Sequence, residues 1–134
     1  MRSILFFHTL APEKLFVGLK NEPKLLYSER VEGFYTLGSY TVNGRPHWRH
    51  GWSSIWYVNI HRYWMIGHTK KIGSNIGHMQ SVGNGKSLEP HELTKWKYYD
   101  DENGWIIAKN ADLIVKMPGR IFLTQKILAH YFTL

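Results

Sequence analysis

Residues 33–67 constrain the fold most strongly, because turn residues and aromatic residues alternate there at the spacing of β-strands. The dipeptide Asn43-Gly44 lies between Tyr40-Thr41-Val42 and Pro46-His47-Trp48. Asn and Gly tolerate the positive φ that both central positions of a type I′ turn require. The stretch therefore predicts a β-hairpin with its tight turn at Asn43-Gly44.

A second hairpin follows in the same stretch. Its strands are Ile55-Trp56-Tyr57-Val58 and Tyr63-Trp64-Met65-Ile66, two runs rich in β-branched and aromatic residues that the polar residues 59–62 separate. Aromatic residues fall on both faces of the expected strands, and this pattern favours a compact barrel or sandwich over a sheet with one wet face.

The remaining strand patterns lie further along the chain, at residues 76–82, 96–99, 105–107 and 113–115. A five-residue turn that ends in glycine, residues 100–104, joins the middle two of these four strands. We predict a single all-β domain over residues 32–116, a small antiparallel barrel or sandwich of about seven strands.

The two ends of the chain fall outside this pattern. Pro12 and Pro23 interrupt residues 1–31, where we predict an irregular N-terminal arm. In residues 117–134 the apolar residues recur closer to helical than to strand spacing, which predicts a short C-terminal helix.

Composition limits the chemistry that the chain can perform. At 134 residues and 43% hydrophobic content, one domain can build a core without covalent cross-links. The absence of Cys excludes disulfides, Cys-based zinc sites and a thiol nucleophile. No stretch approaches the roughly 20 apolar residues of a membrane span, so we expect a soluble protein.

Histidines and one acidic run are the candidate metal ligands. His47 and His50 are three residues apart, so they point to opposite faces of a strand and do not favour a shared metal. The run Asp100-Asp101-Glu102 lacks the alternating oxygen ligands and the distant bidentate Glu of a calcium loop. We predict neither a metal nor a cofactor.

Short motifs give no indication of catalysis. The segment Gly73-Ser74-Asn75-Ile76-Gly77 fits neither a phosphate-binding loop nor a dinucleotide fingerprint. Ser53-Ser54 and Ser81 lack the context of a nucleophile elbow. The triplets Ile66-Gly67-His68 and Ile76-Gly77-His78 match each other, but three residues do not define an internal repeat. The sequence predicts a protein that is not an enzyme.

The distribution of charge is the strongest functional indication. The formal net charge is +7, and no Asp or Glu occurs between Gly33 and Leu88. The basic residues of this acid-free segment are Arg45, Arg49, Arg62, Lys70, Lys71 and Lys86. On one contiguous face they would present a positive field to acidic partners, and five histidines would add charge in mildly acidic conditions.

The six tryptophans divide into two groups. Four lie in apolar runs and are expected in the core: Trp56, Trp64, Trp96 and Trp105. Trp48 and Trp52 lie among basic residues, where an exposed ring beside Arg can stack on a sugar or a base. The alternative is that these two rings close the open end of the barrel.

Several separate elements together resemble a small Gly/Trp-rich β module of large modular animal and protist proteins. The resemblance covers residues 32–115 and rests on Gly33-Phe34-Tyr35, Asn43-Gly44-Arg45-Pro46-His47-Trp48, Ile55-Trp56-Tyr57, Trp64-Met65-Ile66-Gly67, Pro90, Trp96, Trp105 and Leu113-Ile114-Val115. It implies an all-β binding or structural unit, and it implies no activity, cofactor or catalytic residue.

We predict a non-enzymatic binding module with a basic aromatic face for a polyanion, either an acidic glycan or a nucleic acid. The residues assigned to this face are Arg45, Trp48, Arg49, Trp52, Arg62, Lys70 and Lys71. The alternative is a protein-interaction or structural module that recognises no small ligand.

Overall fold

The computed structural model of the protein describes residues 11–19, 28–83, 88–108 and 113–116. They form nine strands: β1 (Lys14–Leu19), β2 (Gly33–Leu37), β3 (Trp48–His50), β4 (Ser53–Val58), β5 (Tyr63–His68), β6 (Met79–Ser81), β7 (Trp96–Asp100), β8 (Gly104–Ile107) and β9 (Leu113–Lys116). Helical structure in these ranges is limited to the four-residue helix α1 (Ser28–Val31) and the 3-10 turns Thr69–Lys71 and Pro90–Glu92.

All nine strands belong to one antiparallel sheet in the order β8-β7-β6-β5-β4-β3-β2-β1-β9. Strands β1 to β8 follow one another as a meander, and β9 returns to pair with β1. The sheet curls into a half-barrel. The predicted all-β class is confirmed, although the architecture is one curled sheet and not a closed barrel or a two-sheet sandwich.

The N-terminal region differs from the prediction. An irregular arm was expected over residues 1–31, but Lys14–Leu19 is a strand within the sheet. Leu15 and Val17 alternate with less buried residues and are fully buried, so this run follows the strand period despite the nearby proline. The helix expected in residues 117–134 lies outside the described residues.

The main core lies on the inner face of the curled sheet. A row of residues paired across five strands lines this face: Trp48, Ile55, Ile66, Met79 and Tyr98. All five side chains are buried. Because successive residues of a strand point to opposite faces, this register fixes which residues face outward.

The predicted tight turn at Asn43-Gly44 is present, but the hairpin expected around it is wrong, because its arms are limited to one bridge. Asn43 has φ 53° and Gly44 has φ 80°, and Val42 forms a bridge with Arg45. Residues 38–47 otherwise form a loop between β2 and β3, and Val42 of this loop packs against the outer face of the β4–β5 hairpin. The side-chain amide of Asn43 donates to the carbonyl oxygens of Tyr57, at 2.7 Å, and Gly73, at 3.2 Å.

The predicted second hairpin is β4–β5, and its outer face is buried as well. Trp56, Val58 and Met65 form a second apolar cluster there, and the indole N–H of Trp56 donates to the carbonyl of Ser74 at 2.8 Å. Loops on the outer face therefore cover β4, which explains why both of its faces are aromatic or apolar.

Candidate functional site

The β3–β4 turn and the segment after β5 meet at one end of the sheet. The backbone N–H of Thr69 donates to the carbonyl of Trp52 at 2.7 Å. The hydroxyl of Thr69 donates to the carbonyl of Gly51 at 2.8 Å, and Gly51 has the positive φ of 54° that glycine adopts without strain. These bonds hold Trp52 next to Lys70 and Lys71, three residues of the predicted face.

The two Ile-Gly-His triplets contact each other at the same end of the sheet. The N–H of His78 donates to the carbonyl of Ile66 at 2.9 Å. The chains cross so closely that a Cβ on Gly67 would lie 2.7 Å from the Cα of Gly77. This crossing brings His68 and His78 together. The match between the triplets was visible in the sequence, but its length gave no reason to assign it a role.

Three nitrogen-bearing side chains surround the indole ring of Trp52. The ring of His78 is stacked on it, with centroids 5.4 Å apart and planes 9° apart. His68 meets the indole at an angle of 61° and a centroid distance of 4.5 Å. The guanidinium carbon of Arg30 lies 5.4 Å from the indole centroid. None of these three residues was predicted from the sequence to belong to the site.

These segments enclose a cleft of about 300 Å³. We call it the Trp52 cleft, and its lining residues are Trp52, His68, Lys70, Lys71, Ile76, Gly77 and His78. Lys70 and Lys71 are exposed. The side chain of Ile76 is 57% exposed, so the cleft combines apolar surface with amines at its edge. None of its seven described lining residues is acidic.

The surroundings act on the protonation of His78 and on the tautomer of His68. Burial lowers the pKa of His78, and the neighbouring His68 lowers it further, whereas Asp101 acts in the opposite direction. The Nδ1 of His68 accepts a hydrogen bond from the N–H of Lys70 at 3.0 Å, which leaves the proton of the neutral ring on Nε2. The cleft therefore holds one imidazole that is kept neutral and can gain a charge on acidification.

Arg45 and Arg62 lie at the other end of the β4–β5 hairpin. Arg62 directly precedes β5 and Lys70 follows it, so six strand residues, roughly 20 Å, separate the two positions. The Arg45 guanidinium lies 4.0 Å from the Tyr57 ring centroid and donates to the carbonyl of Leu88 at 3.4 Å. The predicted basic residues therefore do not form one contiguous face.

Arg49 projects from the outer face of β3 and contacts the β2–β3 loop. Its Nε donates to Nε2 of His47 at 3.2 Å, and its guanidinium also donates to the hydroxyl of Tyr40. The Nδ1 of His47 lies 2.9 Å from the carbonyl oxygen of Tyr40, so both ring nitrogens have partners. Arg49 thus has a structural role in addition to its exposed charge.

The ligand-stacking role predicted for Trp48 is wrong. Its side chain is fully buried on the inner face, and its indole N–H donates to the carbonyl of Pro12 at 2.8 Å. The expected burial of Trp56, Trp64 and Trp96 is confirmed, whereas Trp105 is 38% exposed because it faces outward on the edge strand β8.

No protein family, curated protein or solved structure matches the chain. In the described ranges, no group of three or more His, Asp or Glu side chains is arranged to hold a metal ion. In this same part of the chain, no helix is both long and apolar enough to cross a bilayer.

Proposed function

We propose that the Trp52 cleft binds an anionic ligand of the polyanion class, an acidic glycan or a nucleic acid, without catalysing a reaction. The observation that carries the proposal is the convergence of Lys70, Lys71 and two imidazoles on one cleft, where none of the lining residues that the structure describes is a carboxylate. Cationic groups in a concave site with apolar walls raise the local concentration of anions.

The role proposed for Trp52 differs from the stacking surface that the sequence suggests. Its ring already contacts His68, His78 and Arg30, three side chains that carry or can gain positive charge. The negative face of the indole attracts the Arg30 guanidinium, and the same ring packs against both imidazoles, so it holds these three groups close together. Trp52 is therefore a positioning residue, and the lysines at the edge contact the anion.

Titration with two probes at several salt concentrations tests this proposal. Heparin and a dT12 oligonucleotide are titrated into the protein between about 50 and 200 mM salt, a range over which phosphate contacts weaken steeply. For dT12, each phosphate contact contributes about 0.7 to the steepness with which the logarithm of the binding constant falls against the logarithm of the salt concentration. The Lys70→Ala/Lys71→Ala variant removes two such contacts, so its slope is expected to be shallower by about 1.4.

Arg62→Asn is the matched control. It removes an exposed charge from the opposite end of the hairpin, and Asn tolerates the left-handed backbone at this position, where φ is 59°. The proposal expects this variant to keep the salt slope of the unmodified protein. Failure of both probes to bind at about 50 mM salt would refute it and favour the protein-interaction alternative.

A further inference from the structure

A pair of exposed aromatic rings lies on the outer face of the β7–β8 hairpin. Tyr99 and Trp105 are directly opposite each other across the two strands. Their ring centroids are 5.6 Å apart with planes at 73°, and their side chains are 44% and 38% exposed. Burying a ring is strongly favourable, so two large exposed aromatics side by side mark a candidate contact surface.

The strand that carries Tyr99 runs beside one lining residue of the Trp52 cleft. The N–H of Tyr99 donates to the carbonyl of His78 at 2.8 Å, so the two residues are neighbours across β6 and β7. Trp105 lies one strand further on. With strands about 4.8 Å apart, Trp105 lies about 10 Å from His78, a distance that an extended ligand of a few units would span.

Acidic as well as basic side chains lie between the Trp52 cleft and the two exposed rings. Lys70 and Lys71 lie at the cleft, whereas Asp101 and Glu102 lie in the turn between Tyr99 and Trp105. Asp101 is close enough to raise the pKa of His78 against the effects of burial and His68. On β7 itself, the ammonium of Lys97 lies 5.4 Å from the Trp105 ring centroid. An elongated ligand would therefore meet two amines at the cleft and, at the rings, two carboxylates together with the ammonium of Lys97.

We infer that the ligand is an acidic oligosaccharide, with its anionic group at Lys70 and Lys71 and its neutral sugars on Tyr99 and Trp105. The inference rests on the proposed function of the cleft. Sugar hydroxyls donate hydrogen bonds to carboxylates, and the C–H faces of sugar rings suit the negative face of an aromatic ring. A nucleic acid fits this path less well, because each nucleotide would bring a phosphate toward Asp101 and Glu102.

The test compares three probes by titration: a tetrasaccharide with one sulfate on its terminal sugar, the same tetrasaccharide without sulfate, and dT12. The inference predicts that the sulfated form binds more tightly than the other two. Trp105→Ala is expected to weaken its binding about tenfold, and Trp105→Phe is expected to retain most of it. Ile60→Ala, which removes an 82% exposed apolar side chain from the β4–β5 turn, is the control expected to change nothing.

The outcomes separate this inference from the proposed function. If dT12 binds through Lys70 and Lys71 but neither tetrasaccharide does, the proposed function holds and the oligosaccharide assignment is overturned. If the sulfated tetrasaccharide binds equally well to Trp105→Ala and the unmodified protein, the path along β7 and β8 is wrong. If no anionic probe binds, both the inference and the proposed function fail.

Discussion

Both ends of the β4–β5 hairpin carry basic residues, but the surroundings of these residues differ between the two ends. At one end, Lys70 and Lys71 lie at the edge of a cleft lined by two imidazoles and an indole. At the other end, the Arg45 guanidinium lies over the rings of Tyr57 and Trp64. Charge in a sequence therefore indicates a binding site only where loops leave the cations facing a cavity.

The two ends also differ in their acidic neighbours, because a carboxyl lies near Arg45. Burial raises the pKa of Glu89, and the nearby carboxylate of Glu92 raises it further. Arg45 acts in the opposite direction, which places its guanidinium near the Glu89 carboxyl. Arg45 is thus half-buried, stacked and partly neutralised. Our central proposal rests on this difference: we propose that anions bind at the Trp52 cleft and not at the end of the hairpin that carries Arg45.

The largest loss of stability is expected from Gly67→Ala, which would disturb the end of the hairpin that forms the Trp52 cleft and leave the other end intact. The new Cβ would lie 2.7 Å from the Cα of Gly77 and 3.0 Å from the ring of Trp56. Overpacking against backbone costs about 1–3 kcal/mol, so urea unfolding should show a loss of this size together with weaker heparin binding.

Gly44→Asn is the matched substitution at the other end. Nothing lies within 4 Å of a Cβ built on Gly44, and Asn tolerates a left-handed backbone, so the cost should stay below about 1 kcal/mol. An equal loss of stability in both variants would contradict the close crossing of the two triplets.

Acidification should strengthen anion binding at the cleft. Burial and His68 hold the pKa of His78 below its usual value while Asp101 opposes them, so the ring is neutral near pH 7. A bound anion favours the protonated ring, so a rise of about one pKa unit on binding gives a gain in affinity that approaches tenfold only once the pH falls below the lowered pKa of the free protein. His78→Gln should abolish this gain in heparin titrations at pH 7.5 and 5.5, whereas His61→Gln at the opposite end should keep it.

The stability of the free protein is expected to move in the opposite direction. Burial lowers the pKa of His47, His78 and His91 in the folded state. Below about pH 6.5 the unfolded chain then binds more protons than the folded one, so the stability present at pH 7 is lost as the pH falls. If the urea midpoint of unfolding increases as the pH is lowered from 7 to 5, these three imidazoles are not buried in the neutral form.

A smaller loss of stability is expected from Arg45→Gln. A half-buried guanidinium over aromatic rings contributes about 0.5–2 kcal/mol, so the variant should unfold at lower urea while heparin affinity stays unchanged. Weaker heparin binding with unchanged stability would mean that Arg45 faces the ligand.

The smallest effect is expected from Arg62→Asn. The side chain is exposed in a turn, and surface substitutions of this kind change stability by less than about 0.5 kcal/mol. Thermal unfolding and heparin titration should both match those of the unmodified protein, and a clear loss of affinity would give the two ends equal roles.

Local patterns in the sequence predicted most of the hairpins. The Asn43-Gly44 turn, the β4–β5 hairpin and the β7–β8 hairpin all depend on neighbouring residues and appear where they were expected. Strand β1 was missed because Pro12 suggested an arm, whereas partners far along the chain, β2 and β9, stabilise it. The alternation of Leu15 and Val17 is too short to predict a strand without these partners.

The site was predicted only in part, for the same physical reason. Trp52, Lys70 and Lys71 were selected by residue type, but the close approach of the end of β5 at Gly67 to the segment at Gly77 brings them together with His68 and His78. Trp48 was selected on the same grounds and is buried, because one step along a strand moves a ring to the opposite face. Exposure depended on register, which composition does not encode.

Amide chemical shifts recorded during a heparin titration test the central proposal most directly, because they locate the ligand without a substitution. We predict that the perturbed amides lie in residues 51–52 and 68–78, which form the Trp52 cleft, and that residues 43–46 and 59–62 keep their shifts. Perturbations centred on Arg45 and Arg62, or spread evenly over both ends of the hairpin, would contradict the account.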